Sequence, residues 1–219
     1  MRTTFINELN ALHDQLTRLG VAANESVHKA MKAYNTNDKE LAKELFSDDL
    51  RINALTVEIE KEAYRLIALQ QPVAHDLRMI FTVLTASLNL ERIADHAVAV
   101  ARAVLRRSEQ EIHIESLDET VNLMADIVQQ MVTESIDAFV NQDTEAARRI
   151  ADRDEEVDAC LKKVYHETAK RMEKNAEVIT TGISYINVAN SLERIGDYVT
   201  NICERIVYLN TGEIVELNN

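Results

Sequence analysis

The chain has 219 residues, with only 4 glycines, 1 proline and a formal net charge of −13. So few turn-forming residues exclude a strand-and-turn architecture and leave long helices, for which the good helix formers are plentiful. The charge excludes a surface built for nucleic acid and disfavours an anionic membrane leaflet; its remaining uses are a cation, a basic partner or solubility.

Six helical stretches follow in chain order, over residues 3–35, 38–70, 73–107, 117–141, 144–174 and 177–210. Asn37-Asp38 and Gln142-Asp143 are turn-and-cap pairs ahead of apolar-periodic segments. Pro72, the only proline, opens the third stretch, where its missing N–H costs nothing. Residues 106–116, with the alternating Ile112-His113-Ile114, break the helical pattern and form the hinge between halves. No apolar leader opens the chain, and the most apolar region, 79–90, falls short of the ~20 residues that a membrane span needs. Two cysteines, Cys160 and Cys203, make no disulfide framework and read as small packing residues. The expectation is a soluble cytoplasmic protein.

The third and sixth stretches carry the same words. Residues 90–96 read LERIADH and residues 192–198 read LERIGDY, an offset of 102. The apolar stripe Ile93, Ala97, Val100 and Val104 recurs at that offset as Ile195, Val199, Ile202 and Ile206. The second and fifth stretches match at an offset of 105, with Asp38, Asp49 and Asn53 answered by Asp143, Asp154 and Asp158. The expected fold is all-α: two tandem, repeat-related three-helix bundles, residues 1–112 and 113–219.

On the outward face of the repeats lie acids four residues apart. Glu91 with Asp95, Glu193 with Asp197, and Asp154 with Asp158 each share a helix face, and Asp49 with Asn53 is the partly neutralised counterpart. Like charges at this spacing repel mildly, so their repetition points to a multivalent cation held by hard oxygen ligands. Iron, manganese, magnesium and zinc all suit such donors. The competing reading is a solvated acidic face, since Glu40/Glu44, Glu58/Glu62 and Glu173/Glu177 share the spacing. The second copy adds Asn190, Asn201 and Glu204, where the first has Leu88, Ala99 and Arg102. No phosphate loop or dinucleotide fingerprint occurs. Glu25-x-x-His28 is the only Glu-x-x-His, and a ferritin-like di-iron centre needs two, so a carboxylate-bridged di-iron enzyme is the weaker alternative.

The stretches QPVAHDLR (71–78), LERIADH and LERIGDYVTNICE, with the paired DDLRIN and RDEEVD, resemble the PhoU family of bacterial phosphate-transport regulators. The resemblance spans both halves. It implies two similar three-helix bundles side by side, and metal ions, as multinuclear iron or zinc, bound through E/D-x-x-x-D motifs. Carried over position by position, the ligands are Asp49, Glu91, Asp95, Asp154, Asp158, Glu193 and Asp197. Asn53 departs from the acidic pattern and Ala94 stands where the second copy has Gly196. The family further implies a cytoplasmic homodimer with no enzymatic activity. Its members act as accessory to a high-affinity phosphate ABC transporter and repress the phosphate-starvation response through a sensor histidine kinase. Asp76 and Arg78, at the start of the third stretch, are candidate partner contacts; the alternative is a helix-dipole role for Asp76 and a solvated Arg78.

Overall fold

The structure is a computed structural model and describes residues 2–108 and 112–217. Seven α-helices account for most of it: α1 (Arg2–Thr36), α2 (Lys39–Gln70), α3 (Ala74–Arg106), α4 (Glu115–Asn141), α5 (Thr144–Asp152), α6 (Asp154–Lys174) and α7 (Ile179–Thr211). A single 3₁₀ turn, Ala176–Val178, precedes α7. There is no strand among the described residues. The hinge at 106–116 is described only in part, because residues 109–111 lie outside the described residues.

The caps follow the sequence. Asp38 accepts the N–H groups of Glu40 and Leu41 at the start of α2, and Asp143 accepts that of Ala146 at the start of α5. Each satisfies donors that a first turn leaves without partners. Asn37, Gln71 and Gln142 take left-handed backbone, with φ of 50°, 49° and 51°, to turn the chain between helices. Pro72 lies in the connection before α3, two residues ahead of the helix.

The expected fifth helix is two. It breaks at Arg153, whose N–H reaches Ile150 O at 3.1 Å and whose carbonyl accepts from Glu156 N at 3.0 Å, a tightened turn. Asp154, Glu155 and Glu156 then fill the first turn of α6, where the helix dipole favours negative charge. The break turns Asp154 inward, and only 7% of it is exposed. The sixth expected stretch likewise starts as the 3₁₀ turn, so Glu173 and Glu177 do not share a helix.

Helices α1, α2 and α3 pack on one another, and α4, α5 and α6 pack around α7. The two groups join where α3 lies along α7 and α1 along α4. The repeated stripe fills the core: Ile93, Ala97, Val100 and Val104, and Ile195, Val199, Ile202 and Ile206, are all buried. Polar ties close the ends. Arg107 donates to Tyr34 O at 2.7 Å with its guanidinium 3.9 Å over the Tyr34 ring, and its own carbonyl accepts from Lys39 Nζ. Tyr185 Oη donates to Asp118 at 2.6 Å and accepts from Ile114 N. After Gly212 ends α7 at φ 77°, the chain folds back and Leu217 N donates to Glu204 Oε1 at 3.0 Å.

Candidate metal centre

The acids lie on adjoining helices of each bundle. In the first, α2 supplies Asp49 and α3 supplies Glu91 and Asp95. The Asp49 carboxyl is pushed above the usual carboxylate range, first by burial and then by the charge of Asp95, while Arg102 opposes. Glu91 is raised by burial, then by Asp95 and Asp49, with Glu60 a smaller contributor. Asn53 Nδ2 donates to Asp49 Oδ2 at 3.4 Å, so the amide favours the charged form of its neighbour where the second copy has another acid. Asp49 Oδ1 is buried and accepts no hydrogen bond.

The second bundle repeats the arrangement with α6 and α7. Glu193 is raised by burial, then by Asp197, with Asp158 adding to the effect. Asp197 is raised by burial and by Asp158, and lowered by Arg194. Arg194 pairs with both acids of its own helix, 3.7 Å from Glu193 and 3.2 Å from Asp197. Lys162 stands 3.4 Å from Asp158. An internal cation therefore occupies part of the charge field that the acids create.

Asp154 stands apart in kind. An added Cβ on Gly196 would come within 2.4 Å of Asp154 Oδ1, so the glycine is what lets α7 accept this carboxylate. The first copy has Ala94, fully buried, at that position of α3, and its aspartate, Asp49, is half-buried on an unbroken α2. The glycine–alanine difference thus goes with the break at Arg153.

Between the clusters, at the α3–α7 seam, lies His96. Its ring meets Tyr198 at 5.7 Å between centroids, and burial holds its pKa below the ordinary value despite Asp95 and Asp197. Arg92 stands 5.7 Å over the same tyrosine, and its charge partly offsets the raised pKa of Glu91.

The donor chemistry fits a hard cation: carboxylates from two helices, several raised by burial and mutual repulsion, and one buried oxygen on Asp49 without a hydrogen bond. Among the described residues, no three His, Cys, Asp or Glu side chains stand close enough to form a coordination sphere. Binding an ion would draw the carboxylates together and release Arg194.

Other sequence candidates have different settings. Asn190 Oδ1 accepts from Tyr165 Oη at 3.0 Å, and Glu204 is bonded to the C-terminal segment. His28 faces Gln129 of α4 at 3.2 Å, remote from the acid pairs. Arg78 Nε donates to Leu209 O at 3.0 Å and closes the end of α7, while Asp76 is half-buried in the first turn of α3. Sequence reasoning missed Glu60. It lies on α2 seven residues beyond Asn53, hence on the same face, and its counterpart in the second copy is Tyr165.

Comparison with known proteins decides the family. The PhoU domain model matches residues 16–104 and again 121–206. The chain belongs to the PhoU family. It is 36% identical, over all of this chain and 99% of the other, to a Clostridium acetobutylicum protein described as a phosphate-specific transport system accessory protein PhoU homolog. A Streptococcus pneumoniae PhoU homolog of the same description is 35% identical over the full length of both. The crystal structure of the phosphate transport system regulatory protein PhoU from Streptococcus pneumoniae superposes with a TM-score of 0.91 at 34% identity, covering 96% of this chain and 99% of that one. PhoU from Pseudomonas aeruginosa superposes equally well, covering 95% of this chain and all of that one. The PhoU fold, two helical bundles in tandem, is therefore established for this chain, and the repeat seen in the sequence is the PhoU domain present twice.

Proposed function

We propose that this PhoU-family protein is an accessory regulator of phosphate transport that binds metal ions through its two acidic clusters. The end-to-end similarity to relatives described as accessory proteins of phosphate-specific transport carries the first part. The repeated placement of Glu91/Asp95 with Asp49, and Glu193/Asp197 with Asp158, supports the second. Asp154 joins the second cluster when α6 shifts toward a bound ion. The ions, iron or zinc by family resemblance, offset the repulsion of the carboxylates and tie α2 to α3 and α6 to α7.

The protein works in the cytoplasm as a homodimer without catalysis. It acts as an adaptor between the ATPase of a phosphate ABC transporter and a sensor histidine kinase, and each repeat, 1–112 and 113–219, forms one bundle of the adaptor. Asp76, half-buried at the start of α3, belongs to the partner-facing end. No helix among the described residues is long and apolar enough to cross a membrane, which suits a partner that docks on a transporter from outside the bilayer.

Deleting the gene and reading a phosphate-starvation reporter with phosphate abundant tests the regulatory reading: the reporter is expected to switch on, and silence would overturn it. Elemental analysis of purified protein tests the metal. Bound metal is expected in the parent and lost in Glu193→Ala/Asp197→Ala/Glu91→Ala/Asp95→Ala; equal metal in both would sink the assignment.

A further inference from the structure

An open cleft of about 950 Å³ lies between the C-terminal half of α3 and the N-terminal half of α7, outside the acidic clusters. Its volume is that of a small-molecule site. On the α3 wall, Ala99 and Ala103 make the room and Arg102 and Arg106 frame it. On the α7 wall, Thr180, Ser184 and Asn187 recur at helical spacing. Glu177 is the one acid among the described lining residues, and Ile112 and Ile183 add apolar surface.

The basic character is notable in a chain of net charge −13. It is also peculiar to the first copy. At the repeat offset, Arg102 and Arg106 become Glu204 and Tyr208, and Glu204 is bonded to Leu217 N of the C-terminal segment. The duplicated packing therefore does not require these arginines. Among the described residues neither arginine makes a hydrogen bond or ion pair; Arg102 leans over the Phe46 ring at 5.8 Å and feels the charge of Asp49. The side chains of Thr180, Ser184 and Asn187 likewise make no hydrogen bond among the described residues. Both guanidiniums are exposed at the cleft, and burial of an uncommitted donor set by an anion is the chemistry they offer.

We propose that this cleft binds an oligophosphate, Arg102 and Arg106 gripping the phosphate oxygens and Thr180, Ser184 and Asn187 donating from the facing wall. Arginine suits this task because its planar fork meets phosphate oxygens two at a time. The oligophosphate is either free or the tail of a nucleotide, whose base would rest on Ile112 and Ile183.

Calorimetric titration of the full chain with tripolyphosphate and with ATP, in EDTA and without divalent metal, tests this apart from the acidic clusters. Binding is expected to weaken with rising salt. It is expected to weaken about tenfold or more in Arg102→Ala/Arg106→Ala, the loss of charge-assisted hydrogen bonds. Thr180→Val/Ser184→Ala, which keeps both charges, is expected to weaken it less. Lys163→Ala/Lys170→Ala, on the separate basic face of α6, leaves affinity unchanged. Tighter binding of ATP than of tripolyphosphate assigns a nucleotide; equal binding assigns a free oligophosphate. No binding of either at millimolar concentration, or affinity unchanged in the arginine variant with its melting curve intact, overturns the proposal.

Discussion

Glu193 and Asp197 are held in a setting that disfavours their charge, and Arg194 offsets it only in part. Their folded pKa values lie above the unfolded ones, so their contribution to stability is complete below the ordinary carboxylate range and is lost as pH rises through the raised values. In the presence of a chelator, Glu193→Gln/Asp197→Asn is therefore expected to melt a few degrees higher than the parent at neutral pH and to match it in mild acid. Thermal scans across that range check it, and a variant that melts lower at neutral pH contradicts the reading. His96 works in the opposite sense: burial depresses its pKa, so its neutral form favours the fold above the ordinary histidine value and that gain fades in acid. Gly196 is the other sensitive residue. A Cβ there would fall 2.4 Å from Asp154 Oδ1, so Gly196→Ala is expected to cost about 1–3 kcal/mol by overpacking, measured by denaturant unfolding. Alanine is tolerated at position 94 because no buried aspartate meets it in the same way.

At the level of the helix, Asp38 and Asp143 were legible in the sequence, because an aspartate after a turn residue and before an apolar-periodic run satisfies first-turn donors. Asp38→Ala and Asp143→Ala are each expected to lower stability by about 1 kcal/mol, as chemical denaturation would show; no change would mean that water serves those N–H groups as well. The buried stripes of α3 and α7 were legible too, since spacing alone places Ile93 and Ile195 on one apolar face. The break at Arg153 was not. Apolar periodicity runs through it, and the turn is set by a tertiary contact, Asp154 against Gly196, that local sequence does not encode. The pairing of Arg194 was also open in the sequence, because an arginine beside acids reaches its own helix or a neighbour equally well. The acidic clusters were readable as pairs on each helix; that α2 brings Glu60 toward Glu91 needed the packing.

At the scale of the molecule, metal ions would join α2 to α3 and α6 to α7, so their removal is expected to loosen both bundles rather than one site. Adding EDTA to metal-loaded protein should lower Tm and speed amide exchange in all four helices; protection lost from one bundle alone would assign the ions to that bundle. The cleft beside Arg102 and Arg106 escaped the sequence reading for a different reason. Arginines two and three turns beyond the acidic motif of α3 look like ordinary solvated charge until α7 is laid against α3 and the alanines leave room between them. A net charge of −13 also hides a locally basic face, because a sum over the chain carries no position.

The seam where α3 runs along α7 has one more consequence. Each bundle presents there a helix built for contact with its near-twin, so a chain cut in the linker leaves two halves with matching bare faces. Expressed alone, the first half is expected to pair with a second copy of itself, rebuilding from identical pieces what the full chain makes from a tandem duplication. Light scattering on that fragment would register twice its mass, and a stable monomer would mean that the two faces have drifted too far apart to recognise their own kind.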